Sequence, residues 1–461
     1  MADILKSKKV IKGSASLYLK TPLLLKSGYG DMFSDSTIEK TYDGEHIHIN
    51  GYVWASLIRR CADRIDEAFS NTIGKYSETD GVSPLWCEPS FIPLKSELYI
   101  RPGNAIDRKY ATVKEGALFN DEVVASGLKL KLNWNFFLSP EYDEDKTKDS
   151  FLGTLWVLNA GIENIGGGWS YGMGRLGVED VRIKILDLTN EKERLYLWRF
   201  DDEALKDAQK LSLLDIKMPV IKKPWETIHV EASILPGQML AISSSYPAFD
   251  TSESYAEYPD SFVYQGYRID ENGNLKAEHL IPGRTIRQAL LSVPLERKLR
   301  TIGRDVICDS LASFCDCDRC REYRKKNKNS DSPQCICLKC LWFGSGGKGG
   351  MIAVTDAFVK DADTKIIHRI HLCEHSMQNI NLFSGEYLTK GRFAFDIVID
   401  KKDKEQHAQR LIQELVWLFN QMTNTANAPP GWFRIGATST ATGQIMILKE
   451  PEIKKCGVID G

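Results

Sequence analysis

The sequence predicts an α+β protein made of two tandem domains with antiparallel sheets of split β-α-β type. Three observations predict it: five landmarks recur in the same order, the length exceeds one typical core, and strand-like runs lead directly into helical ones. The 461 residues leave roughly 200 for each copy, enough to bury an apolar interior. Two copies make a tandem duplication, not a solenoid.

In the first copy a strand-like opening, Ser16 to Leu25, is followed by an Asp-bearing loop. Ile49-Asn50-Gly51 then leads into a helical stretch, Tyr52 to Ile65. Gly116-Ala117-Leu118-Phe119 and Glu122-Val123-Val124 come next, and the copy closes on Gly166-Gly167-Gly168-Trp169-Ser170-Tyr171-Gly172-Met173-Gly174-Arg175, with a strand over Leu176 to Leu186 behind it. In the second copy Ile228 to Leu235 opens and Asp260 lies in a loop. Ile281-Pro282-Gly283 leads into Arg284 to Leu290, Ser384-Gly385-Glu386-Tyr387 precedes the alternating strand Arg392 to Ile399, and Arg434 to Gly443 closes the copy. The expected boundaries are 1–190 for the first domain, 191–227 for a charged, partly helical linker ending in Pro219 to Pro224, and 228–461 for the second.

A hydrophobic fraction of 43% with 26% charged residues is ordinary for a globular chain. No apolar run reaches membrane-spanning length, and Met1 to Lys12 lacks the apolar core of a signal peptide, so a cytoplasmic protein with no membrane partner is expected. The formal net charge of −2 argues against indiscriminate nucleic-acid binding through a strongly basic surface. Local basic clusters remain, at Arg59-Arg60, at Arg284 and Arg287, and through Arg297 to Arg300. A solvated face explains any one of them, but they recur beside the repeated landmarks.

Six of the eleven cysteines fall within 26 residues, from Cys315 to Cys340. Cys317 and Cys320 form one C-x2-C, Cys337 and Cys340 another, with 16 residues between the pairs, which is the spacing of a four-thiolate zinc site. Cys315 and Cys335 are rival ligands. Four thiolates close a coordination sphere, so the expected role of Zn²⁺ is structural, stapling an insertion at about 308–345 into the second domain before a strand over Met351 to Phe358. Cys61, Cys87, Cys308, Cys373 and Cys456 read as buried free thiols.

Gly166, Gly167, Gly168, Gly172 and Gly174 exceed what one turn needs. Such a loop can offer successive backbone N–H groups and the Ser170 hydroxyl to phosphates, although an unliganded surface loop accounts for it equally well. It lacks the Lys-Ser/Thr ending of a P-loop. The Ile281-Pro282-Gly283 turn places Arg284 and Arg287 in the first turn of a helix, where free N–H groups favour phosphate. His46 and His48 share one face of a short strand, placed either for acid–base help or for packing.

These residues resemble the RAMP superfamily, whose members form the backbone of type III CRISPR effector complexes. The resemblance is carried by Ala105-Ile106-Asp107-Arg108, Gly116 to Phe119, Glu122 and Gly166 to Gly174 in the first copy. In the second it is carried by Ile281-Pro282-Gly283, Cys337 to Gly344 and Gly385-Glu386. It covers nearly the whole chain apart from Thr189 to about Thr227, and a fusion of two backbone units looks like the fused effectors of type III-D.

That resemblance implies two ferredoxin-like (RRM-like) domains, each with a thumb hairpin, near Gly103 to Ala117 and His371 to Gly385. It implies CRISPR RNA as the bound guide, held by Gly166, Gly167, Gly168, Ser170, Gly172, Gly174, Arg175, Arg59, Arg108, Arg284 and Arg287. Complementary target RNA would be cut by a loop aspartate with Mg²⁺ or Mn²⁺, in company with a large subunit, small subunits and further backbone subunits. Counting back from Ile49 places that aspartate at Asp35. Asp260 is the counterpart in the second copy, with Asp250 a rival. The competing readings are a non-catalytic backbone that only holds guide RNA, a guide-processing endonuclease relying on His, Tyr or Lys, and an unrelated zinc-stabilised enzyme.

Overall fold

Strand β1 (Lys9–Leu19) is buried along most of its length and lies at the centre of a five-stranded sheet, paired on both edges. The computed structural model describes residues 7–74, 83–94, 98–106, 113–140, 142–198, 202–208, 210–244, 259–302, 337–344, 349–372, 379–401, 404–423, 434–435 and 443–455. After β1 come β2 (His46–Ile49), α1 (Gly51–Asp63), α2 (Glu67–Gly74), β3 (Leu85–Cys87) and β4 (Ser90–Pro93). A long hairpin, β5 (Leu98–Ile106) with β6 (Val113–Val124), precedes β7 (Lys129–Leu138), α3 (Glu144–Ala160) and β8 (Leu176–Asp187).

Strands β3, β7, β1 and β8 lie side by side, each antiparallel to its neighbour. Apolar residues of α1 and α3, including Trp54, Leu57, Phe151 and Leu155, are buried with Ile11, Leu17, Trp134 and Phe136 of the sheet. Gly13 is required by that packing, since a Cβ there would lie 2.1 Å from the Trp134 indole. Helix α3 starts on Asp143, whose side chain accepts from the Lys146 N–H, and stops at Gly161 in the left-handed region (φ 73°). The segment expected to join the domains contains α4 (Glu191–Trp198) and β9 (Lys210–Ser212), and β9 extends the first sheet by pairing with β8.

The second half repeats the plan. It runs β10 (Trp225–Ile234), β11 (Ser243–Ser244), β12 (Phe262–Val263), β13 (Gln265–Ile269) and β14 (Leu275–Ile281), then a helix through Gly283–Thr285, Ile286–Ser292 and Val293–Ile302. A short helix (Leu338–Phe343), β15 (Ile352–Val354), β16 (Ala357–Leu372), β17 (Asn379–Asp400), a helix (Glu405–Thr423), β18 (Ile445–Ile447) and β19 (Glu452–Lys455) follow. Here β15, β17, β10 and the β18/β19 edge reproduce the order β3, β7, β1, β8. The first part of β17 pairs with β16 as a second long hairpin. Ile286–Ser292 is π-helical; Pro294 follows, lacks an N–H and would clash with a carbonyl in a regular helix, so the wider turn ahead of it relieves the contact.

Several boundaries differ from expectation. The opening strand spans Lys9–Leu19, not Ser16 to Leu25, because charged positions at Lys9 and Lys12 obscure its start. The strand expected over Met351 to Phe358 is broken at Thr355-Asp356, where it changes partner from β17 to β14. Of the stretches expected to form thumbs, residues 107–112 and 373–378 lie outside the described residues, and the flanking residues belong to the paired strands β5–β6 and β16–β17. Arg108, Asp250, Cys317 and Cys320 also lie outside them.

Two buried ion pairs join the halves. Arg101 on β5 is fully buried and reaches both carboxylate oxygens of Asp356, at 2.6 Å each. Asp356 Oδ1 also accepts the Gly283 N–H (2.7 Å), so one carboxylate binds the first-half hairpin to the second-half helix entry. Arg64 is shared between Glu163 and Asp400. Removing one partner of such a pair strands a buried charge. Arg101→Ala is expected to cost about 3–5 kcal/mol of unfolding free energy in denaturant titration. Arg101→Met combined with Asp356→Asn, which keeps an acceptor for Gly283, should recover much of it.

Candidate nucleic-acid interface

Asp35 and Asp260 sit in matching backbone frames, built from residues far apart in each copy. The Asp35 N–H donates to the Asn120 carbonyl (2.9 Å), and Asp35 Oδ2 accepts the Asn120 N–H (2.7 Å). The Asp260 N–H donates to the Ser384 carbonyl (3.0 Å), and Asp260 Oδ2 accepts the Ser384 N–H (2.7 Å). Two residues on, the Glu122 N–H donates to Ser36 O and the Glu386 N–H to Ser261 O, both at 2.9 Å. The glutamate side chains then reach back. Glu122 Oε2 accepts the Ile38 N–H (2.8 Å), and Glu386 Oε2 accepts the Val263 N–H (3.0 Å).

Each aspartate is thus carried on a loop clamped to its hairpin by a buried carboxylate, while its own side chain stays exposed. One carboxylate oxygen is held by a backbone N–H and the group faces solvent, so it can accept a proton or share a cation. Tyr29, Met32, Phe33 and Leu118 are exposed around the Asp35 loop. Among the described residues, Asp43, Glu45 and His46 also bring ligand atoms within 4.8 Å of one another, on the β2 hairpin turn and apart from the Asp35 frame. His48 stacks on Phe91, with ring centroids 5.0 Å apart.

The glycine-rich loops close on the same hydrogen bond. The Ile165 N–H donates to Gly174 O (2.8 Å) and the Ile435 N–H to Gly443 O (2.9 Å). Gly174 and Gly443 have φ of 70° and 96°, and a Cβ at either would lie within 2.4 Å of the opposing carbonyl oxygen. Of the first loop, Gly166, Gly167 and Gly168 run beside Leu24 and Met173, Ser170 lies in a short 3-10 turn, and Gly172 packs its backbone on Val354 and Thr355 of the second half. The second loop, 436–442, lies outside the described residues.

The clamped aspartate loop and the hydrogen bond that closes the glycine-rich loop each appear twice, in one geometry. The chain belongs to the RAMP superfamily. The family model matches residues 17–177 and again 279–441, which together cover more than half of the protein. No curated protein matches the chain. The second match begins after β10 and Asp260, which occupy the places that β1 and Asp35 hold in the first half.

The expected RNA-contacting cations fall into distinct settings. Arg59 is exposed on α1. Arg284 is enclosed at the seam between the RAMP regions, its guanidinium over the rings of Phe119 (5.2 Å) and Tyr171 (5.4 Å), and burial with nearby Arg101 lowers its pKa. Its Nε has no hydrogen-bond partner. Arg287 donates to the Phe343 carbonyl. Arg175, at the end of the first glycine loop, is buried, which lowers its pKa.

Sequence reasoning missed the Arg101–Asp356 pair. Neither residue belongs to a repeated landmark, and the contact is between copies, not within one. It also missed Lys20, whose ammonium donates to Asn159 O (2.8 Å) and whose pKa is lowered to about 8 by burial and by Arg175. An unfolded lysine titrates near 10.4. Between these values the unfolded chain holds a proton that the folded chain has released, so stability rises as pH goes from about 8 to about 10. Lys20→Met is expected to add about 2–3 kcal/mol at pH 7 and to abolish that rise, as read from denaturation at several pH values.

Proposed function

We propose that this RAMP protein is a backbone subunit of a type III CRISPR effector, holding guide RNA and cutting complementary target RNA at two sites. The carrying observation is the placement of Asp35 and Asp260, both exposed, in the same clamped frame of two RAMP regions. The order β-α-β-β-α-β, with all neighbouring strands antiparallel, supports reading each region as a ferredoxin-like domain. The two long hairpins fit the thumbs, and the fused arrangement fits type III-D. The large, small and further backbone subunits would be its partners.

RNA carries its own nucleophile in the 2′-hydroxyl. A splayed target nucleotide can bring that oxygen in line with the scissile phosphate; the aspartate accepts its proton as the P–O2′ bond forms and the P–O5′ bond breaks, leaving a 2′,3′-cyclic phosphate and a 5′-oxygen that takes a proton from water. A single carboxylate suits Mg²⁺ or Mn²⁺, since such ions take one or two carboxylates and complete their shell with water and substrate phosphate oxygens. Bound there, the ion would supply charge stabilisation to the phosphate. The clamps by Glu122 and Glu386 keep each aspartate in place while the target strand moves.

Guide RNA would be held by the first glycine-rich loop and by Arg59, with Arg175, Arg284 and Arg287 setting the positive potential beneath it. Zinc is assigned to Cys317, Cys320, Cys337 and Cys340. Of these, Cys337 and Cys340 are both buried at the start of the helix Leu338–Phe343, as one half of a four-thiolate set requires. Metal analysis of the purified chain should give one zinc, lost together with the ion's contribution to thermal stability in Cys337→Ser/Cys340→Ser.

A second reading has its own support. Asp35 and Asp260 each spend one oxygen on a backbone N–H, as a purely structural loop anchor would. Cleavage of a labelled complementary RNA by the assembled complex, with Mg²⁺ or with EDTA, separates the two. Asp35→Ala and Asp260→Ala should each remove one discrete product, with a loss of roughly 10²–10⁴-fold at that position, and the double variant should cut at neither. Unchanged cutting in all three variants would leave the chain as scaffold.

A further inference from the structure

The two aspartate clamps are fastened differently at their flanks. In the first half Lys26 meets Asp121 (2.8 Å) and Lys40 meets Glu122 Oε1 (3.0 Å), so each buried carboxylate beside the Asp35 loop has its own ammonium. Hydrogen bonds and strand register identify the counterparts in the second half. Glu122 opposes Ile100 as Glu386 opposes Ile366, and Ile49 opposes Ser90 as Ile281 opposes Ala357. Glu122 accepts the N–H of Ile38, two residues before Lys40, and Glu386 accepts that of Val263, two residues before Gln265. Lys40 bridges Ile47 as Gln265 pairs with His279. Gln265 therefore stands in the place of Lys40, and His279 in that of Ile47. Lys26 bridges Ile38 as Ser243 pairs with Val263, which puts Ser243 in the place of Lys26 and Gly385 in that of Asp121.

One of these ion pairs is lost whole and the other by half. Ser243 and Gly385 remove both charges together, which strands nothing. Gln265 removes only the ammonium and leaves Glu386, 8% exposed, with no cation partner among the described residues. A buried carboxylate in that position is costly. The cations of the β13–β14 hairpin do not serve it, because Arg268 (2.7 Å) and Lys276 (3.0 Å) both bind Glu278, whose side chain alternates to the other face from His279. Burial lowers the pKa of His279 against the opposing pull of Glu386, so at neutral pH the imidazole brings a lone pair and no charge.

The residues that replace the lysine and the isoleucine both bring electron pairs. Gln265 Oε1 and His279 Nδ1 are buried without a hydrogen-bond partner, on facing residues of β13 and β14 and within electrostatic reach of Glu386. Orphaned polar atoms of this kind are rare, and two on one cross-strand pair beside an unneutralised carboxylate share one explanation. Amide oxygen, imidazole nitrogen and carboxylate oxygen each offer a lone pair, so a Lewis acid satisfies all three and supplies the charge that Lys40 supplies in the first half. Mg²⁺ and Ca²⁺ prefer oxygen throughout, whereas ions of the zinc and manganese type accept an imidazole among oxygen ligands.

We infer that the second half holds a divalent transition ion at Glu386, His279 and Gln265, in the place that the Lys40 ammonium takes in the first. The ion fastens the clamp that carries Asp260, as Lys40 fastens the clamp that carries Asp35. It is distinct from the cysteine cluster, which offers thiolates, and from an ion at Asp260, whose carboxylate faces solvent on the loop. Its ligands belong to the clamp, so it is present whether or not Asp260 cuts RNA. Lysine at position 265 would restore the first-half arrangement and make the ion redundant.

Manganese binding by the full chain without RNA tests it. The parent is His46→Ala, which silences the exposed turn of Asp43, Glu45 and His46. After dialysis against citrate, which leaves thiolate-held zinc in place, Mn²⁺ is added in excess Mg²⁺, which fills sites made of oxygen alone, and electron paramagnetic resonance is read for coupling to an imidazole nitrogen. The parent should bind Mn²⁺ with that coupling, and its melting temperature should rise. Adding His279→Ile should abolish the coupled signal. Adding Gln265→Lys should abolish it too, with unchanged circular dichroism and a melting temperature that ignores Mn²⁺, because the ammonium then fastens the clamp. Adding Asp35→Asn and Asp260→Asn should leave the signal in place. A parent without a nitrogen-coupled ion overturns the proposal, as does a signal that survives His279→Ile or Gln265→Lys or that vanishes with the two aspartates. None of these readouts uses RNA, so the cleavage reading stands or falls apart from them.

Discussion

A guanidinium taken wholly out of water is costly unless a carboxylate meets it, and Arg101 meets Asp356 with both terminal nitrogens, its Nε left without a hydrogen-bond partner. The same carboxylate holds the first N–H of the second-half helix, so three elements from two RAMP regions are fixed at one point. Everything that gives the chain a direction depends on this. The hairpin that carries the Asp35 clamp on one face carries Arg101 on the other, and the separation of the two aspartate loops is therefore set by a buried contact and not by the connecting segment. The second pair, Arg64 with Glu163 and Asp400, makes the arrangement resistant to rotation about the first.

The duplication is legible in the sequence because its landmarks are backbone requirements. A glycine at a helix entry, a glycine at positive φ closing a loop and a glutamate reaching back to an N–H each restrict the residue type, so they survive in both copies while the side chains between them change. Asp35 follows by counting from such a landmark. The seam is not legible, since Arg101 and Asp356 are single residues without periodicity whose pairing requires knowing that one copy leans on the other. The start of the first strand is hidden by its lysines, Lys9 and Lys12. Lys12 lies buried near Glu88 at 3.7 Å, a setting that its charge gives no reason to expect.

Divergence between the copies follows what each surface touches. The clamp residues Glu122 and Glu386 are unchanged, because both loops need the same N–H satisfied. Arg101 has become Ile367 and Asp356 corresponds to Pro89, because the copies face different neighbours. His48 stacked on Phe91 in the first half corresponds to Leu280 beside Phe358, where Arg268 covers the ring instead.

The segment between the RAMP regions behaves less as a tether than as a lid. Its short turn Asp202–Leu205 lies against β1 and β8, Ala204 and Leu205 are almost fully buried, and β9 occupies the sheet edge beyond β8. The sheet edge most exposed to stray pairing in a nascent first half is thereby closed by residues synthesised immediately after it. The first sheet therefore ends on a strand that the repeated plan does not supply, and its edge beyond β8 is not open to a strand of the second half.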